Sequence, residues 1–169
     1  ENDLFFYPPF TSEVYKITKD SCFICYDVTY ENLLFPPLEY LESSEQHREN
    51  YVTKLYNEHY IYSVQLFENK DFFVSLFNVE KSGYIGIYDK NRDKGFYFYR
   101  KAYLSPNHDI DYFQIVGSCG DDFVAALKPF DIKENTEVRD TELRKIINNA
   151  QEDSNPVLMF FQFRNITSI

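Results

Sequence analysis

Five side chains in the stretch "NHDIDYFQIVGSCGDD" are of types that do chemistry: His108, Asp109, Asp111, Asp121 and Asp122. In an extended segment Asp109 and Asp111 stand on one face, because strand side chains alternate between faces. Asp121 and Asp122 follow at the next turn. Carboxylates gathered on loops bind Ca²⁺ through oxygen, and a neighbouring imidazole or acid adds a proton acceptor. The set is therefore a candidate ligand or metal site, with Ca²⁺ as the candidate ion and ion-assisted hydrolysis as the reaction it would support. The plainer account is a group of solvated turn acids, since the chain carries 27 acidic side chains against 17 basic ones. No residue is assigned a catalytic role on this ground.

Other reactive types are sparse. His47, His59 and His108 stand far apart in the chain and read as surface or packed imidazoles. No serine occupies a G-x-S-x-G elbow; in "GSCGD" Ser118 and Cys119 lie between glycines, which a turn joining two strands explains. Cys22 and Cys25 form a CxxC in "SCFICYDV", but the flanks read as a strand and no second CxxC completes a zinc site, so two packed thiols are expected. With Cys119 the cysteine count is odd, and no disulfide framework is implied. Five glycines in all leave no phosphate-binding loop of either nucleotide fingerprint. The aromatic run "GFYFYRKAYL" suits a platform for sugar rings, yet it equally suits packing between sheets, which is the expectation here. Asn165-Ile166-Thr167 fits a glycosylation sequon by pattern alone.

Charge removes whole classes of partner. The formal net charge is −10, with Lys and Arg scattered, whereas nucleic acid binding needs clustered cations to displace counterions. Nucleic acid and anionic membrane surfaces are excluded as partners on that basis. No apolar run reaches the length of a membrane-spanning helix. The chain opens at Glu1 without an initiating Met, which points to a mature form, a cloned fragment or a proteolytic remnant.

The elements that must position these residues read as strands. Fifteen Tyr and 17 Phe supply abundant apolar area for a core. Short alternating stretches separated by turn residues every eight to twelve positions predict an all-β chain. "DLFFYPPF", "EVYKI" and "SCFICYDVTY" predict three strands, the first broken by Pro8-Pro9. Ser43 followed by Gln46, with Val52, Leu55, Tyr56 and His59 at helical spacing, predicts a short inserted helix. From 60 to 104, four strands joined by "NKD", "KSG" and "NRDKG" predict an antiparallel meander. Its apolar residues include Phe73, Phe77, Ile85, Ile87, Tyr97 and Tyr99 as well as Val64, Leu66, Val74 and Leu76, so both faces of this sheet need cover. "YFQIVG" and "DFVAALK" predict two further strands, and Leu143, Ile146, Ile147 and Ala150 mark a helix capped by Asp140. "VLMFFQF" then predicts a last strand, expected inside a sheet because it is so apolar at a chain end.

A four-stranded sheet covered on both faces and flanked by partial copies of itself has the pattern of a propeller blade. Three stretches, "VYKI", "GYIGIYDKN" and "DSNPVLMFFQFR", resemble the C-terminal half of the exported, often lipid-anchored, six-bladed β-propeller proteins of gut bacteria. That family has no established activity. The resemblance implies a single propeller-like domain over 1–169, three to four blades of a partial propeller, and a place in the periplasm or at the cell surface. The expected role is a non-enzymatic binding or scaffolding module with a protein or carbohydrate ligand. The alternatives are a Ca²⁺-assisted propeller hydrolase built on the acidic set, and a structural half completed by a second copy or by a missing N-terminal half.

Overall fold

A computed structural model describes residues 4–44, 51–99, 114–128 and 141–163. Among these residues the strands are β1 (Leu4–Phe6), β2 (Glu13–Ile17), β3 (Cys22–Asp27), β4 (Ile61–Glu68), β5 (Phe72–Val79), β6 (Ser82–Asp89), β7 (Lys94–Tyr99), β8 (Gln114–Cys119), β9 (Asp122–Leu127) and β10 (Val157–Phe161). Among the described residues three short helices, α1 (Leu38–Ser44), α2 (Tyr51–Asn57) and α3 (Thr141–Asn149), interrupt them. The strands form three separate sheets in the orders β1-β2-β3, β4-β5-β6-β7 and β10-β9-β8, consecutive neighbours throughout. This is the meander architecture that the turn spacing predicts.

The chain forms two compact units, one of 1–64 with 76–83 and one of 65–75 with 84–169. In the first, the β2–β3 hairpin is closed where the Thr18 amide donates to the Ser21 carbonyl at 2.8 Å. The two strands lose register between Val14 and Tyr15, so that Cys25 is the extra residue opposite them. Such a bulge bends a strand and re-aims its side chain. Here the Cys25 thiol donates to the Val14 carbonyl at 3.2 Å. Cys22 is exposed, so only one of the two CxxC thiols is packed. Around fully buried Val14, Leu55, Ile61 and Phe77 the core closes, with the Tyr30 ring 4.2 Å from that of Phe77.

The predicted inserted helix is two helices with 45–50 between them outside the described residues. Ser43 lies in the last turn of α1, and the cap at its start is Pro37, whose carbonyl accepts the amides of Tyr40 and Leu41. Pro36-Pro37 leads directly into a helix, because a ring-locked residue costs nothing before the first turn. His59 lies beyond α2 in a left-handed turn at φ 60°. His47 lies outside the described residues.

In the second unit β8-β9-β10 surrounds Phe123, Ala125, Leu127 and Ile115, all buried. Phe161 and Phe163 pack on Phe123 with ring centroids 5.9 and 5.4 Å away. Phe163 also meets Phe72 edge-on at 5.8 Å. α3 buries Ile147, and Ala150 just beyond its end is buried too, whereas Ile146 is exposed; the expected stripe is narrower than the spacing suggested. The last strand corrects its expectation as well. β10 pairs with β9 and stands at the edge of its sheet among the described residues, with Leu158 and Phe160 56% and 57% exposed. Its apolar character has two causes: Val157, Met159 and Phe161 turn toward the partly covered face, and the other face is left open.

The four-stranded sheet contributes residues to both units. β5 is covered on both faces, with Phe73 through Phe77 buried without interruption. The outer hairpin differs. In the β6–β7 register Ile85 faces Phe98 and Ile87 faces Phe96, and this is the buried side. Tyr97 and Tyr99 lie instead on the face of Tyr84, and Tyr99 is exposed. The cover expected over both faces does not reach the end of β7.

Candidate functional site

The best-defined polar constellation lies where three hairpins of the second unit end: the β4–β5 turn, the β6–β7 turn and the β8–β9 turn. Each turn is shaped by a short polar side chain. Asn69 accepts the amides of Asp71 at 3.0 Å and Phe72 at 2.8 Å through its Oδ1. Asp89 does the same for Asn91 at 3.0 Å and Arg92 at 3.1 Å. Asn and Asp side chains mimic a backbone turn in this way, which is why both residues sit at strand ends. Gly120 supplies the left-handed residue of the third turn at φ 62°.

The three turns are then tied together. The Lys90 amide donates to the Asp71 carbonyl at 2.9 Å, and the Asn91 side chain donates to the Asp71 carboxylate at 2.9 Å. The Lys90 ammonium pairs with Glu68 and donates to the Asn69 carbonyl at 2.8 Å. The Asn69 Nδ2 donates to the Asp121 carbonyl at 2.7 Å, and the Ser118 hydroxyl to the Glu68 carbonyl at 2.6 Å. These last two bonds join the four-stranded sheet to the β8–β9 hairpin. Asn69 is buried, so one amide satisfies three backbone groups where water has little access.

Of the residues singled out by sequence, Asp121 and Asp122 stand at this end. Asp121 is exposed and engages Asn69 through its carbonyl, while Asp122 opens β9 half-buried. His108, Asp109 and Asp111 lie outside the described residues. Among the described residues no group of three or more His, Cys, Asp or Glu side chains is placed to hold a metal ion. The neighbouring carboxylates are engaged with the protein: Glu68 with Lys90, Asp71 with Asn91, Asp89 with its own turn, and Asp93 with the Tyr88 hydroxyl at 2.7 Å. The Asp93 hydrogen bond, then burial, push the Tyr88 phenol above its usual range. Ser118 is a strand residue whose hydroxyl positions a hairpin, and Cys119 is an exposed free thiol.

Sequence reasoning missed Asn69 and Asp89. Their signal was present in "ENKDFF" and "YDKNRD", where an Asn or Asp at the end of a strand opens a short polar run. What it lacked was any sign that one of them would reach a different hairpin. The linkage holds strand ends in place, and its chemistry is positional.

Comparison with known proteins fits this architecture. Among curated proteins none matches the chain. A crystal structure of a Bacteroides fragilis protein inferred to be exported matches with a TM-score of 0.77 and 27% identity. The match covers 94% of this chain and 46% of that one, so the chain spans less than half the length of that relative. The family model described as a 6-bladed beta-propeller matches residues 1–126. With three antiparallel meander sheets, and that model matching most of its length, the chain belongs to the 6-bladed beta-propeller family.

Proposed function

We propose that the chain is half of a closed six-bladed ring that acts outside the cytoplasm as a non-enzymatic binding or scaffolding module. The observation that carries this reading is the contrast between its sheets. β5 in the middle sheet is covered on both faces. The two terminal sheets are not: Leu4, Phe6, Phe23 and Ile24 are exposed on the first, and Val116, Leu158 and Phe160 on the last. Blades of a propeller bury their faces against neighbours, and exposed apolar surface of this kind marks an interaction site. Three sheets among the described residues, a six-bladed family and a relative about twice as long agree with three further blades covering these faces. The similar Bacteroides fragilis protein is inferred to be exported, which supports a place outside the cytoplasm.

The test is the solution mass of the 169-residue chain, with dye binding to exposed apolar surface measured alongside. The chain alone is expected to self-associate and to bind the dye, and a Leu158→Glu, Phe160→Glu double variant to do both less. A chain that scatters as a 20.2 kDa monomer and leaves the dye dark would overturn the reading.

A further inference from the structure

Among the described residues β10 is the one sheet edge with no device against pairing with a further strand. Natural sheets guard their edges with shortness, charge, proline or a bulge, because an open row of amides and carbonyls pairs with any extended strand. The other edges each have such a device. β1 is three residues long, with Pro8-Pro9 soon after it. β3 is bulged at Cys25 and ends on Asp27. β4 ends on Glu68 and carries Ser63 at φ 55°, and the Ile61 amide at its start is taken by the Leu34 carbonyl. β7 opens on Lys94, and β8 loses register between Ile115 and Gly117. β10 reads Val157-Leu158-Met159-Phe160-Phe161, with no charge, no proline and unbroken register against β9.

We infer that the free edge of β10 takes a fourth, antiparallel strand from the other half of the ring, which deepens the reading above and rests on it. The middle sheet has four strands in the order β4-β5-β6-β7, whereas the last sheet stops at three, so β10 holds the place of β6. β6 has β7 paired on its far side and buries Ile85 and Ile87. β10 is as apolar, yet without such a neighbour Leu158 and Phe160 are more than half exposed. A strand added beside them covers part of both side chains, since cross-strand partners lie about 4.5–5.5 Å apart. It also satisfies the outward amides and carbonyls, as in other cases of strand addition. The partner is therefore an extended, uncharged stretch as long as β10 and apolar on both faces, as Phe96 to Tyr99 of β7 are.

The probe is a synthetic peptide of residues 94–101, KGFYFYRK, spanning the strand that fills this place in the middle sheet, added to the dilute 169-residue chain. Fluorescence anisotropy of labelled peptide reads binding, and amide exchange across 157–161 reads its place. Neighbouring amides of a strand point to opposite sides. One of Leu158→Pro and Met159→Pro thus removes a donor from the free edge and leaves the β9 ladder whole, and circular dichroism identifies the variant that stays folded. Saturable binding is expected, with alternate β10 amides slowed about tenfold or more. Binding should weaken about tenfold in the folded proline variant, and likewise for a peptide carrying Phe98→Pro. No binding, or equal binding in either proline case, overturns the inference. So does slow exchange of every β10 amide before peptide is added. Protection that rises with chain concentration in the absence of peptide assigns the edge to a second copy and overturns the occupant. None of these outcomes touches the apolar faces, so the ring reading keeps its own test by mass and dye binding.

Discussion

Asn69 offers the sharpest test of how this protein holds its hairpins together. Its amide makes three hydrogen bonds, two accepted within its own turn and one donated to the Asp121 carbonyl at 2.7 Å. Each such bond contributes about 1 kcal/mol net, and leaving a buried partner unpaired costs more. Asn69→Ala removes all three, but the turn amides of Asp71 and Phe72 regain some water. The expected loss is therefore about 2–3 kcal/mol, or roughly 4–12 °C in melting temperature for a chain of this size. The urea m-value should not change, since the exposed surface on unfolding is the same. Asn69→Asp separates the two halves of the role. Its carboxylate still accepts both turn amides, but it turns an oxygen toward the Asp121 carbonyl where a donor stood. Stability should fall by about 1–3 kcal/mol at neutral pH, then recover as acid protonates the new carboxyl and restores a donor. Urea titrations of both variants at neutral and acidic pH read this out, with amide exchange at Phe72 as the local probe. A loss under about 0.5 kcal/mol for Asn69→Ala, or an Asn69→Asp variant with no acid recovery, would refute the argument.

Two further perturbations probe the first unit. Phe77→Ala empties a site that is 1% exposed and removes the ring beneath Tyr30, so it should cost about 3–5 kcal/mol by urea unfolding; a cost below about 1 kcal/mol would mean that the core there is not packed as described. Burial, and secondarily the neighbouring Tyr30, raise the Tyr7 phenol above its ordinary value, and its hydroxyl donates to the Thr11 carbonyl at 2.6 Å. The unfolded chain then releases this proton first, so the stabilisation is complete below about pH 10 and is lost as pH rises beyond it. Tyr7→Phe should lessen the alkaline fall in urea midpoint; an unchanged alkaline slope would remove Tyr7 as its cause.

The sequence by itself determined the class of fold. Alternation at period two is a direct print of one face buried and one face open, and turn residues between "LFE" and "FFV" or "IYD" and "GFY" can be read without knowing where the strands go. Apolar positions on both faces of β5 likewise announced cover on both sides, because a strand with water on one face would show polar residues all along it. The same logic failed where burial depends on what lies beyond the strand. Tyr99 and Phe160 look as apolar in the text as Phe73, yet one ends an outer hairpin and the other stands on an edge, and only the pairing partners decide that. The acidic set shows the limit most plainly. Carboxylates near one another in sequence were legible as a candidate site, while the bonds that engage Glu68 and Asp71 cross between turns. Asn69 and Asp121 are far apart along the chain and meet only because two hairpins end at the same place. A hydrogen bond needs its partner within about 3 Å, and that distance is a property of the assembled sheets, not of the spacing of letters.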